Sequence, residues 1–175
     1  MHVLQWITIK SDSKDMAFRS VKDYLETAMG NENSYSSWYD WFITGGGRWN
    51  PNEASQYDDN DQSMVISFET DPDLFEERIL LALESRKEEF DRYAKDIKPE
   101  ILTKIITDYN PREKDFSVFS DLYPIKKIID MAYGEWDFNS YFFDCENDIT
   151  SPKYMFEDID NGNKNWYAVP VDFHF

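Results

Sequence analysis

Asp172 and His174 stand two residues apart in the C-terminal run 166–175. If that run is a strand, their side chains share one face. A carboxylate beside an imidazole raises its basicity, and a guanidinium such as Arg48 supplies counter-charge to an anion. Arg48, Asp172 and His174 together make an acid/base and anion-binding trio, with His174 the one internal histidine. No nucleophile completes the set. Neither Ser37 nor Thr44 sits in an activating motif, and Cys145 lies among acids that disfavour a thiolate. A structural Asp/His/Arg cluster that ties two strands together accounts for the same residues.

Arg48 belongs to the densest constellation in the chain, Trp38-Tyr39-Asp40-Trp41-Phe42-Ile43-Thr44-Gly45-Gly46-Gly47-Arg48-Trp49. Gly45, Gly46 and Gly47 give the backbone freedom and close approach. Their amides, with Arg48 beside them, can hold a phosphate or carboxylate. The neighbouring tryptophans can stack on a base or on Arg48 itself. The Lys-Ser/Thr of a P-loop is missing, and the pattern is not GxGxxG. The plainer account is a glycine turn pinned by Arg48 and covered by aromatic core residues.

No metal or cofactor is expected. Asp58, Asp59, Asn60 and Asp61 look like part of a calcium loop, but the sixth position from Asp58 is Ser63 where glycine is required. Cys145 is the one cysteine, and His2 and His174 are the two imidazoles, so a Cys-cluster or multi-His zinc site is not expected. Phe75, Ile79 and Leu83 form a core stripe rather than a cofactor box.

Charge is the strongest bulk signal. The 175 residues carry 35 acids against 18 bases, a net charge of −17. With 17% aromatic residues this is a folded acidic protein, since acidic disordered tails lack aromatics. The acidity is regional. Residues 49–77 hold nine acids (Glu53, Asp58, Asp59, Asp61, Glu69, Asp71, Asp73, Glu76 and Glu77) and no base. Residues 134–163 hold eight (Glu135, Asp137, Asp144, Glu146, Asp148, Glu157, Asp158 and Asp160) against Lys153. Brought onto one face, the two stretches make a strong negative patch. Direct binding to nucleic acid is disfavoured, because that affinity comes from Lys and Arg on phosphates. Basic proteins, including nucleic-acid-binding ones, are the suitable partners. Solubility is the plain alternative. No apolar run has the length of a membrane span, and the start of the chain has no signal-peptide pattern, so a cytoplasmic location is expected.

These residues need elements to position them. Val3 to Ile9 reads as a central strand, apolar on both sides. Ser11, Asp12 and Ser13 offer N-caps for a helix over about 14–29, with Phe18, Val21, Leu25 and Ala28 inward. Residues 37–44 read as a strand ended by the glycines, and 64–69 as a third. Asp71 caps a long helix with Pro72 at its first position. Phe75, Ile79, Leu83, Phe90, Tyr93 and Ile97 form its stripe, and Pro99 interrupts it. A second helix over 101–109 makes 72–114 a helical-hairpin insertion within a single domain, 1–175. A further helix is expected over 121–133 and a strand over 136–144. Lys153 to Glu157 and 165–175 flank Asp160-Asn161-Gly162-Asn163, which predicts a hairpin. Pro170 argues for an edge position or a bulge in the last strand. The order implies an α+β fold, a ferredoxin-like antiparallel sheet with a helical insertion.

The stretch Trp41 to Trp49, with Gly134-Glu135-Trp136 and the closing Val171-Asp172-Phe173-His174, resembles a group of small bacteriophage proteins. Their pattern is an aromatic strand into Gly-Gly-Arg-Trp, a central Gly-x-Trp and a final Val-Asp-x-His strand. This chain adds a glycine before Arg48 and a long helical segment. The resemblance implies a phage origin and supplies no mechanism.

Two functions follow. In the first, a phage-derived acidic protein inhibits a basic, nucleic-acid-binding host defence factor, in the manner of an anti-CRISPR protein acting in the host cytoplasm. Glu53, Asp58, Asp59, Asp61, Glu69, Asp71, Asp73, Glu135, Asp137, Asp144, Glu146 and Asp148 would present carboxylates to its basic groove. In the second, the protein binds or acts on a nucleotide-like anion through Arg48, Asp172 and His174, with Gly45, Gly46, Gly47 and Trp49 as ligand contacts.

Overall fold

Two nine-residue strands of β-branched and aromatic residues, one from each end of the chain, pair along their whole length. Strand β1 (His2–Lys10) runs antiparallel to the C-terminal strand β5 (Trp166–His174), from His2 opposite His174 to Lys10 opposite Trp166. The computed structural model describes residues 2–28, 41–100, 123–125, 128–129, 142–144 and 153–174. Within these, helix α1 (Lys14–Ala28), strands β2 (Trp41–Thr44) and β3 (Ile66–Ser67), helix α2 (Pro72–Asp96), strand β4 (Phe142–Asp144) and helix α3 (Lys153–Asp160) complete an α+β fold.

The sheet order is β2-β5-β1-β4, with β3 also on β5. Its pairs are antiparallel except β1 with β4, which is parallel and sets Trp6 beside Phe142. The last strand is therefore central, where Pro170 predicted an edge position or a bulge. The reason lies in its neighbours. Strand β2 covers residues 171–174 of one edge of β5, and β3 covers 167–168 of the same edge. Between them the Pro170 carbonyl accepts a hydrogen bond from the Gly45 N–H at 2.8 Å. In an antiparallel strand a residue's N–H and C=O point the same way, so the N–H that proline lacks faces the junction of two short strands.

The pleat gives the sheet two unlike faces. Ile7, Ile9, Tyr167, Val169, Val171 and Phe173 pack against Phe18, Val21 and Leu25 of α1. Ser13 caps α1 by accepting from the Met16 N–H at 3.2 Å, as its sequence position predicts. The opposite face carries Trp6, Trp166 and Ala168, covered by Phe75, Ile79 and Ala82 of α2 and by Met155 and Ile159 of α3. Asp71 caps α2 through Leu74 N–H, and Pro72 is its first residue.

Helix α3 corrects the predicted hairpin. Lys153 to Glu157 is helical because Met155 and Ile159, one turn apart, are both buried. The Asp160–Asn163 turn is its C-terminal cap. Gly162, at φ +100°, donates to the Ile159 carbonyl, and Asn163 donates to that of Asp158. These are the two bonds of a Schellman motif, which uses the same Asn-Gly chemistry as a hairpin turn. Strand β3 is shorter than the 64–69 expected, being two residues long. The second helix of the predicted hairpin insertion, 101–109, lies outside the described residues, as do parts of the helix over 121–133 and the strand over 136–144.

Candidate functional site

The α2 face of the sheet ends at His2, His174 and Asp172. Cross-strand register puts Leu4 and Ile43 on either side of Asp172, and His2 and Trp41 on either side of His174. Asp172 is thus on the central strand between two aliphatic side chains, and it is fully buried. A buried carboxylate must be hydrogen-bonded. His2 is its diagonal neighbour across β1 and β5, close enough for a long side chain to reach. Its Nδ1 lies 2.9 Å from Asp172 Oδ1. An ionised carboxylate only accepts, so Nδ1 carries the hydrogen, and in the neutral imidazole the lone pair is on Nε2.

The second carboxylate oxygen explains the glycine loop. Asp172 Oδ2 accepts the backbone N–H of Arg48 at 3.0 Å. To deliver that N–H the chain turns through Gly45, Gly46 and Gly47, all at positive φ. A Cβ on Gly47 would lie 2.5 Å from Asp172 Cβ, so only glycine lets the loop sit over the carboxylate. The Gly45 N–H goes to Pro170, that of Trp49 to Gly46 and that of Asn50 to Gly47. These loop amides are therefore turned inward, and the anion that Arg48 N–H binds is the protein's own Asp172. The Arg48 side chain is exposed and available to an external anion.

The expected trio is rearranged accordingly. Asp172 and His174 share a face, but the imidazole on Asp172 belongs to His2. His174 stacks on Trp41, with centroids 4.9 Å apart and rings 8° from parallel, and meets His2 edge-on at 4.8 Å. His2 also meets Trp41 edge-on at 5.3 Å. His2, Trp41, Ile43, Arg48, Tyr57 and Asp172 line a cleft of about 450 Å³. Trp49 does not line it; its indole is half exposed in a larger neighbouring cleft. His2 escaped the sequence reading because it acts across 170 positions. The available signal was that β1 and the last strand have equal length with a histidine at matching ends.

The acidic candidates divide. Asp59 pairs with Lys22 Nζ at 2.6 Å. Asp61 accepts the Ser63 N–H, and its carboxyl is held below its ordinary value first by the Ser55 hydroxyl, then by Ser63. Asp71 is the α2 cap. Glu53, Asp58, Glu69 and Asp73 are exposed and make no ion pair among the described residues. Asp144 lies in β4 beside Thr8. Glu135, Asp137, Glu146 and Asp148 lie outside the described residues. Among the described residues no group of three or more His, Cys, Asp or Glu forms a metal-binding cluster, and no helix is long and apolar enough to cross a membrane. Compared with protein-family models, with curated proteins and with solved structures, the chain matches none.

Proposed function

We propose that this protein binds a small anionic ligand in the cleft beside Asp172, with the Arg48 guanidinium as counter-charge and the His2–Asp172 pair as its acid/base partner. One observation carries this. A fully buried carboxylate on the central strand shares an imidazole with an open cleft, and a guanidinium stands at that cleft. A loop anchor alone needs only a neutral acceptor for the Arg48 N–H. A carboxylate with an imidazole adds a proton-exchanging pair. Neutral His2 presents Nε2 as an acceptor; protonated, it presents a second positive donor to the anion. No Ser, Thr, Cys or Lys is among the described residues that line this cleft, so binding with proton exchange is the chemistry supported.

Calorimetric titration with pyrophosphate tests this. Arg48→Ala abolishes binding and leaves the melting temperature nearly unchanged, because the side chain is exposed and such substitutions change stability by about 0.5 kcal/mol or less. Binding that is absent in the unmodified protein, or unaffected by Arg48→Ala, overturns the proposal.

Glu53, Asp58, Glu69 and Asp73, exposed and without an ion pair among the described residues, favour a second reading. Here a phage-derived protein blocks a basic, nucleic-acid-binding host factor through long-range attraction. Asp59 and Asp61 are poor probes of it, because reversing them breaks the Lys22 pair and the Ser63 bond. Glu53→Lys and Asp73→Lys test the surface without that damage. Affinity capture from host lysate that yields a basic protein at low salt, and loses it with these variants, supports this reading.

A further inference from the structure

The larger cleft, about 640 Å³, lies on the same sheet face and shares a wall with the anion cleft. The linings of the two clefts adjoin at two places. Leu4 lines the larger cleft, and its cross-strand partner Asp172 lines the smaller. Arg48 lines the smaller, and the next residue, Trp49, lines the larger. A ligand whose charge sits at Arg48 therefore has an adjacent seat for its body.

The chemistry of the larger cleft is that of a flat ring. Trp6, Met64 and the half-exposed Trp49 supply apolar and aromatic surface. Trp41, in the smaller cleft, already has an indole face stacked on His174, whereas Trp49 makes no ring contact among the described residues. Arg78 of α2 also lines the larger cleft, half buried and without an ion pair among the described residues. With Asp71 it offers a donor and an acceptor. A nucleobase edge carries both acceptors and donors, and base stacking on an aromatic side chain is tolerant of base identity. The volume is in the range of small-molecule sites.

We infer that the ligand is a nucleotide, its base stacked on Trp49 in the larger cleft and its phosphate at Arg48 in the smaller. This rests on the anion-binding reading, which locates the phosphate.

The test titrates the four ribonucleoside monophosphates, the matching nucleosides and inorganic phosphate, read by tryptophan fluorescence and calorimetry. At least one nucleotide is expected to bind more tightly than inorganic phosphate. Its affinity falls about tenfold in Trp49→Ala, the size of one lost base stack, and also falls in Arg78→Met, while Tyr154→Ala, at an exposed aromatic that lines neither cleft, leaves it unchanged. Thermal melts confirm that each variant is folded. If phosphate binds through Arg48 but no nucleotide binds more tightly, or if Trp49→Ala and Arg78→Met bind normally, the base seat is overturned and the anion reading stands. If nucleosides bind through Trp49 while phosphate and Arg48→Ala have no effect, the base seat stands and the anion reading falls.

Discussion

Asp172 holds two duties at once, and its variants separate them. Replacing His2 with Ala leaves Asp172 Oδ1 without its side-chain partner in a buried position. Leaving a buried polar group unpaired costs about 1–3 kcal/mol. Asp172→Asn keeps an oxygen for the Arg48 N–H and removes the charge, so it costs less than Asp172→Ala, which orphans both partners. Chemical denaturation ranks the three, and an Asp172→Ala protein as stable as Asp172→Asn refutes the loop-anchor role. Much of this was legible beforehand. Alternation alone puts Asp172 and His174 on one face, and three glycines before Arg48 announce a contorted turn. The dyad partner was not legible, because His2 meets Asp172 only through register, and register between chain ends is a tertiary property.

At the level of elements, local signals were sufficient where capping and periodicity agreed and failed where one turn chemistry serves two structures. The caps at Ser13 and Asp71 and the stripe through Phe75 and Ile79 place α1 and α2 correctly. Asn161-Gly162 suits a hairpin and a helix cap equally, and the helix won because Met155 and Ile159 both enter the core. The end of α3 is held by Asp158, which accepts from Lys10 at 2.8 Å, Asn163 at 2.7 Å and Trp166 Nε1 at 2.9 Å. Those bonds, Lys10 first, hold its carboxyl below the ordinary 3.8. A lowered folded-state value means that the unfolded chain takes up the proton first on acidification. The Asp158 contribution is therefore fully present above 3.8 and lost as pH falls through the lowered value. Melting curves should show wild type and Asp158→Asn separated by a constant gap at neutral pH, and the gap should close in acid. A gap that widens in acid has the wrong sign for this network.

For the whole molecule, the net charge of −17 acts oppositely on the two classes of partner. It repels a small anion and attracts a basic protein at long range, and both effects extend about 30 Å at 0.01 M salt and about 8 Å at 0.15 M. Glu53 and Asp58 make the repulsion local: Asp58 adjoins Tyr57 and Glu53 lies one turn before Gln56, and both Tyr57 and Gln56 line the cleft that holds Arg48. The Arg48 contact itself is short-ranged and loses less to screening than charges farther off. Stopped-flow tryptophan fluorescence should therefore show nucleotide association speeding up as salt rises from about 0.01 to 0.15 M, and Glu53→Gln with Asp58→Asn should raise the low-salt rate. A basic protein partner gives the reverse on both counts, slower with salt and slower with the neutralised pair. Nucleotide association that slows with salt and with neutralisation has the sign of attraction to the acidic surface, and it removes the cleft as the place where this charge matters.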